Sequence, residues 1–345
     1  MLLFVAQQFD QSITEVTPLG NGLINDTFLV STAESCFVLQ RINAQVFPEP
    51  EQIMRNIFHL NKHIAQKADK SIKLNLPELL ITVAGQDFFR DDNDDVWRAL
   101  SFINNSESLE SFGSLEIAAQ IGFALGHFHS LVSDLNPELL HDTLPSFHIA
   151  PNYLQQYWQV LQQTTVFPQN AFCADFIAQY QHFTEDLERA KQQGLLKLRV
   201  IHGDPKLNNF LFDKHSQKII SLIDLDTVKP GLVHYDIGDC LRSCCHDKAT
   251  GEFVLEICAV LLEQYLSEAG AFFSTYDYRY LYPAIRLLPF ELGLRFYTDY
   301  LQGNRYFKVT ENEQNLQRAI EQFNLCSSIL KQEADIKQLI TRLIC

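Results

Sequence analysis

The sequence predicts an α+β protein of two lobes, a small antiparallel-sheet lobe with one helix and then a larger, mostly helical lobe. Three observations carry that prediction. Runs of β-branched and aromatic residues separated by turn residues fill the first lobe; helical periodicity dominates the remainder; and a few short strand-like runs interrupt the helices near the middle of the 345-residue chain. The lobes are placed at residues 1–104 and 105–345, joined at the polar stretch Asn104-Asn105-Ser106-Glu107-Ser108.

Ile13 to Leu19, Leu23 to Ser31 and Cys36 to Ile42 read as an antiparallel meander, punctuated by Gly20-Asn21-Gly22 and by Thr32 to Ser35. Pro48 to Ala68 reads as an amphipathic helix, because Pro50 and Glu51 suit its first turn and Ile53, Ile57, Leu60 and Ile64 fall on one face. Strands are expected at Leu79 to Val83 and Val96 to Ile103. The acidic run Asp91 to Asp95 between them reads as a solvated turn, since no downstream bidentate Glu completes a calcium loop. Helical spacing then marks Leu115 to Val132, Asn152 to Gln162, Phe172 to Gln192, Tyr235 to Cys245, Glu252 to Ser267, Leu281 to Leu301 and Asn312 to Arg342. The interrupting strands are Leu198 to His202, Phe210 to Asp213 and Lys218 to Leu225.

The chain carries 42 acidic against 27 basic side chains, a net charge of −15. Such a surface repels a phosphate backbone and an anionic bilayer at long range, so neither nucleic acid nor membrane is expected as a partner. The apolar start Met1 to Ala6 lacks a basic n-region, and no run of about 18 uncharged apolar residues occurs, so a cytoplasmic location is expected. The eight cysteines form no CxxC pair; Cys240, Cys244, Cys245 and His246 lack a second ligand pair and read as core rather than a zinc site. His127 and His129, two apart on a helix, point to different faces and should not share a metal.

Chemistry concentrates in Val200-Ile201-His202-Gly203-Asp204-Pro205-Lys206-Leu207-Asn208-Asn209-Phe210-Leu211 and Ile220-Ser221-Leu222-Ile223-Asp224-Leu225-Asp226. One strand delivers an acid, an amide lies five residues later, and a further strand delivers a second acid. Phosphoryl transfer needs this set: a carboxylate to orient the attacking hydroxyl, and an amide oxygen with another carboxylate to hold Mg²⁺ against a triphosphate. The segment resembles the aminoglycoside phosphotransferase and choline kinase superfamily, which shares the protein-kinase fold. His202-Gly203-Asp204 with Asn209 matches its HGDxxxxN motif, and Ile223-Asp224 matches its metal-binding Asp. The resemblance implies ATP and Mg²⁺ as cofactors, Asp204 as catalytic base, Lys206 at the γ-phosphate, and Asn209 and Asp224 as Mg²⁺ ligands. Asp226 is a further metal candidate, sharing a face with Asp224 only if the strand stays extended. Asp236 and Asp239 read as structural, the first bracing the catalytic loop.

On the nucleotide side, Asn21 and Gly22 occupy the place of the glycine-rich loop with few glycines. Gln40 stands where the strand lysine of the protein-kinase pattern is expected, so either its neighbour Arg41 supplies the cation or Lys206 and Mg²⁺ neutralise the phosphates unaided; Ser101 and Ile103 would flank the adenine, with Leu211 and Ile223 as floor. Gly22 to Phe28, Val38 to Asn43, Ile223 to Val228, Glu291 to Leu301 and Tyr306-Phe307-Lys308 are similar to the N-acetylhexosamine 1-kinase branch. That similarity implies phosphorylation of the anomeric hydroxyl of GlcNAc or GalNAc, a neutral amino sugar, contacted by Ile24, Asp204, Arg295 and Tyr306. Glu291, Arg295 and Asp299, four apart, share a helix face and would otherwise form a surface ion-pair ladder. The alternatives are a kinase of an aminoglycoside, choline or homoserine, and a nucleotide-binding pseudokinase suggested by the missing strand lysine.

Overall fold

The structure, a computed structural model, describes residues 1–20, 24–67, 73–109, 114–163 and 165–344. The expected Asn21 and Gly22 sites lie outside the described residues. A short helix α1 (Leu2–Ala6), absent from the expected elements, precedes strands β1 (Ile13–Pro18), β2 (Asp26–Thr32) and β3 (Cys36–Arg41). Helix α2 (Glu51–Ile64) comes next, then β4 (Leu79–Leu80), β5 (Phe89–Arg90) and β6 (Val96–Ser101). These strands form one antiparallel sheet in the order β1-β2-β3-β6-β4, with β5 also paired to β6.

Alternation sorts the sheet into two chemically different faces. Phe37, Leu39, Trp97 and Ala99 lie on the outer face, under Val5, Ala6 and Phe9 of the N-terminal helical turn. Val38 and Leu100 face the other way, into the main core, and Gln40 and Arg98 share that inner face by register. The α2 stripe Ile53, Ile57 and Leu60 packs into the same main core. Asn56 on that stripe is fully buried because its polar atoms are satisfied: its Nδ2 donates to the carbonyls of His141 and Val228 at 2.9 Å, and its Oδ1 accepts from His141 N at 2.8 Å.

The helical part opens with β7 (Ser106–Ser108) and α3 (Leu115–Val132), whose N-terminus Ser114 caps by accepting from Ile117 N at 3.3 Å. Next come α4 (Ala150–Leu161), α5 (Ala171–Tyr180) and α6 (Glu185–Gln192). The expected single helix from Phe172 to Gln192 breaks into two at a 3₁₀ turn, where the Thr184 hydroxyl donates back to the Gln181 carbonyl at 2.7 Å. Strands β8 (Arg199–Ile201), β9 (Phe210–Asp213), β10 (Ile219–Leu222) and β11 (Lys229–Gly231) carry the motif region, in two small sheets ordered β10-β9-β7 and β11-β8. Helix α7 (Val233–Cys244), the hairpin β12 (His246–Asp247) and β13 (Glu252–Phe253), then α8 (Leu255–Ala269), α9 (Thr275–Arg279), α10 (Leu281–Leu301), α11 (Gln314–Lys331) and α12 (Glu333–Ile344) complete the chain. The expected helix to Arg342 divides at Gln332, whose side chain leaves the helix to donate to the Phe253 carbonyl at 2.8 Å.

Helices α3 and α8 meet at the backbone. A Cβ on Gly122 would lie 2.2 Å from the Leu261 carbonyl oxygen, and one on Gly126 would lie 2.5 Å from that of Tyr265. Gly122→Ala should therefore force the helices apart, and its gain in helix propensity offsets only part of the strain. A net loss of about 2 kcal/mol in urea unfolding is expected. Among the described residues no helix is long and apolar enough to cross a membrane, and no group of three His, Cys, Asp or Glu side chains is arranged to hold a metal ion. Cys240, Cys244 and Cys245 are core residues, and burial raises the thiol pKa of Cys240 and Cys245 well above the ordinary value.

Candidate active site

The motif forms a rigid loop between β8 and β9. Its anchor is Asp236 in the first turn of α7, fully buried, which accepts from His202 N at 2.7 Å and Gly203 N at 2.9 Å. His129 Nε2 meets the same carboxylate at 2.9 Å, so this histidine does more than pack: it closes a chain from α3 to the Asp204 loop. His202 donates through Nε2 to the Ile223 carbonyl at 2.9 Å and accepts at Nδ1 from Asp204 N at 3.3 Å, which requires the neutral ring. Burial, the largest influence, lowers its pKa accordingly. Gly203 adopts φ +89°, and a Cβ there would fall 2.6 Å from the Thr227 carbonyl oxygen, so both conformation and space require glycine.

Asp204 emerges partly exposed at the loop head, with Lys206 Nζ 2.5 Å from its Oδ2. Burial works against the Lys206 charge, but Asp204 and Asp224 outweigh it and raise its pKa. Asn209 Nδ2 donates to the Asp204 backbone carbonyl at 2.7 Å, which leaves its Oδ1 for another partner. Asp224 sits in the left-handed region at φ +69°. Loss of hydration within the cleft, reinforced by the charge of Asp226 and opposed by Lys206, pushes its carboxyl up to about 6. The backbone of Asn209 accepts from Ile223 N at 2.8 Å, which brings the chain at Asn209 next to the residue before Asp224; a carboxylate and an amide oxygen are donors that fit a hard divalent cation. Leu211 and Ile223 are half-buried, whereas Phe210 and Phe212 are fully buried.

Asp226 corrects the sequence expectation. Asp224 begins a 3₁₀ turn rather than continuing β10, so strand alternation does not place the two acids together. Buried Asp226 instead forms an ion pair with Arg98 and accepts from Asn25 Nδ2 at 2.7 Å, which occupies both its oxygens. Arg41 is a second correction. It lies on the outer face of β3, over Trp97, bonded to Asp26 and Asp95, and does not face the cleft. The cation on the inner face is Arg98, 1% exposed, whose Nε and Nη2 reach Gln40 Oε1 at 3.1 and 2.6 Å; Gln40 Nε2 passes the row on to Thr27 Oγ1 at 3.1 Å. A charge inside the apolar run Val96-Trp97-Arg98-Ala99-Leu100 was a signal for it, because an interior charge needs a partner. Ser101 is bound through its hydroxyl and amide to Glu78, at 2.9 and 2.8 Å, and the Ile103 carbonyl accepts from Ser106 Oγ at 2.6 Å.

Beyond Asp204 a cavity of about 230 Å³ opens between α4, α10 and the segment after it, with Phe147, Tyr153, Arg295, Tyr306 and Phe307 among its walls. The Arg295 guanidinium lies 5.0 Å from the Phe147 ring centre, 4.9 Å from Tyr153 and 5.5 Å from Phe307. Its charge interacts with Tyr153, Glu291, Tyr306 and Asp204, which ties the cavity to the catalytic loop. No carboxylate pairs with it among the described residues, so the alternative of a surface ion-pair ladder is not what this helix face forms. Asp299 is occupied by the backbone amides of Arg305, Tyr306 and Phe307 at 2.8, 2.8 and 3.0 Å and thereby folds the segment that carries Tyr306 over the cavity. Glu291 pairs with His148 at 3.1 Å. Tyr306 is 51% exposed at the rim, and Ile24 is also exposed.

An antiparallel sheet followed by a helical part with a carboxylate-headed loop between short strands is the arrangement of a kinase-like fold. The chain belongs to the phosphotransferase enzyme family, whose model matches residues 15–273. Solved structures agree on the fold. An aminopropanol kinase associated with a microcompartment superposes with TM-score 0.70 at 17% identity, covering 97% of this chain and 98% of its own. The GDP complex of aminoglycoside 2'-phosphotransferase-IIIa gives 0.59 at 15%, covering 93% and 96%. The amicoumacin kinase hAmiN, in complex with AMP-PNP and Ca²⁺, gives 0.60 at 13%, covering 94% and 92%.

Proposed function

We propose that the enzyme transfers the γ-phosphoryl group of ATP, bound with Mg²⁺, to the anomeric C1 hydroxyl of an N-acetylhexosamine such as GlcNAc or GalNAc. In this reading Asp204 accepts the hydroxyl proton and aims the oxygen, while Lys206 balances charge beside it. Asn209 Oδ1 and Asp224 hold the cation, which supplies electrostatic relief for charge on the phosphates. Leu211 and Ile223 support the adenine, and the Ile103 backbone amide faces its edge. Asp226 and Arg98 carry the sheet above the nucleotide rather than a second metal.

The observation that carries the acceptor assignment is the Arg295 cation, held by aromatic rings and without a carboxylate partner among the described residues, in a cavity within electrostatic reach of Asp204. Aminopropanol and aminoglycosides, the acceptors named for two structural relatives, bear ammonium groups at neutral pH. A guanidinium in a restricted cavity repels such a group and favours a neutral acceptor offering a carbonyl oxygen, as an N-acetyl group does. The rings around it suit the apolar faces of a sugar. Arg295→Ala should lower kcat/KM for the N-acetyl sugar by about 10- to 100-fold, the worth of one charged hydrogen bond. It should also narrow the preference over glucosamine and galactosamine. ADP release measured across these sugars and amino alcohols tests the reading; faster wild-type turnover of the amines would reject it.

A further inference from the structure

We propose that His148, joined to Glu291 through one ring nitrogen and to the Gly203 carbonyl through the other, is a positioning residue for the Asp204 loop. The turn that presents it is strained: Ser146 and His148 both take left-handed backbone angles, φ +70° and +65°, where only a few non-glycine residues are found. The strain places a 3%-exposed imidazole between the acceptor wall and the catalytic loop. Nε2 lies 2.8 Å from the Gly203 carbonyl oxygen and Nδ1 lies 3.1 Å from Glu291 Oε1. The Gly203 carbonyl and an ionised Glu291 are both acceptors only, so with that carboxylate charged, satisfying both requires the doubly protonated ring.

Gly203 is thus held on both sides, its amide by Asp236 and its carbonyl by His148, and the next residue is the proposed base. The Asp236 side leads into the core of the helical part. The His148 side leads to the acceptor cavity, since Phe147 lines it and Arg295 lies one helical turn beyond Glu291. The second Glu291 oxygen is buried without a hydrogen-bond partner, an arrangement that an adjacent imidazolium makes tolerable.

Among the described residues, the charged and titratable groups near the ring include Glu291 from α10, Tyr235 and Asp239 from α7, Tyr153 from α4, which bonds the His148 backbone, and, through Phe147, Lys229 from β11 and Arg295 from α10. Burial alone lowers the His148 pKa, but the Glu291 charge and hydrogen bond, then Asp239, outweigh it and raise the value above that of a free histidine. The positioning form is the protonated one. Its contribution is therefore complete at low pH and lost as pH rises through the raised pKa, giving an alkaline limb in kcat.

The inference rests on Asp204 as the base, and the tests separate the two. In ¹⁵N-histidine NMR spectra of the wild-type enzyme, His148 should remain an imidazolium at a pH where a free histidine is already mostly neutral; a ring that loses its proton no later than a free histidine would overturn the proposal without any substitution. His148→Asn keeps a donor near Nδ1 and loses the Gly203 contact, so kcat should fall by about 10- to 100-fold at unchanged KM for ATP. His148→Gln can still reach Gly203, should retain more activity, and should lose the alkaline limb. Wild-type kcat in His148→Asn, or the limb persisting in His148→Gln, would refute the role. If Asp204→Asn is inactive while His148→Asn is fully active, the base stands and this inference falls.

Discussion

Asp204→Asn is expected to lower kcat by about 10³-fold while changing ATP affinity by less than about threefold. The substitution keeps the size of the side chain and removes the proton acceptor, and general-base catalysis of this kind is worth about 10² to 10⁴ in rate. A factor of about 10³ corresponds to about 4 kcal/mol of transition-state stabilisation. Nucleotide binding should survive because the proposed cation ligands, Asn209 and Asp224, are untouched, and because the loop is held mainly through backbone groups of His202 and Gly203. Stopped turnover with a normal ATP-induced rise in Tm is the expected pair of results. Retained turnover would remove Asp204 from the mechanism.

The largest effect on stability is expected from Arg98→Met. Arg98 and Asp226 are both almost completely buried, and removing the cation leaves a buried carboxylate whose remaining side-chain partner is the Asn25 amide. Breaking one side of such a pair costs about 3–5 kcal/mol, whereas replacing both sides by apolar groups is often near neutral. Urea unfolding should therefore show a large loss for Arg98→Met and recovery of most of it in Arg98→Met/Asp226→Leu. Equal losses in the single and double variants would contradict the assignment of the energy to the unpaired acid. Because the pair joins the sheet to the loop after Asp224, the single variant should also weaken nucleotide binding.

The parts of the site that are local in the chain were legible in the sequence. Asp204 and Asn209 lie five residues apart on one loop, and the α2 periodicity lies within one helix, so spacing alone carried both readings. Even the parity of β3 was readable: alternation puts Gln40 with Val38 and Arg41 with Leu39. What spacing could not supply was which face meets the cleft, and the answer moved the inner-face cation from Arg41 to Arg98 on a strand distant in sequence. The extended strand that the Asp226 reading required is absent for a related reason, because the left-handed angle at Asp224 ends the strand where alternation assumed it would continue, and Asp226 pairs with Arg98 instead. Asp299 shares a helix face with Arg295 as expected, yet it is spent on the amides of a segment that folds back after the helix. His148 had no signal at all, since its position depends on a backbone turn and on contacts to Gly203 and Glu291 brought together only by the tertiary fold.

Everything proposed for the cavity turns on the acceptor and on the atom that receives the phosphate. The most direct test is ³¹P and ¹H NMR of the product formed from ATP, Mg²⁺ and GlcNAc or GalNAc. The expected result is a phosphorus signal coupled to the anomeric proton, with no product from an amino alcohol under the same conditions. Phosphate coupled to the C6 protons, or turnover confined to amine-bearing acceptors, would contradict it.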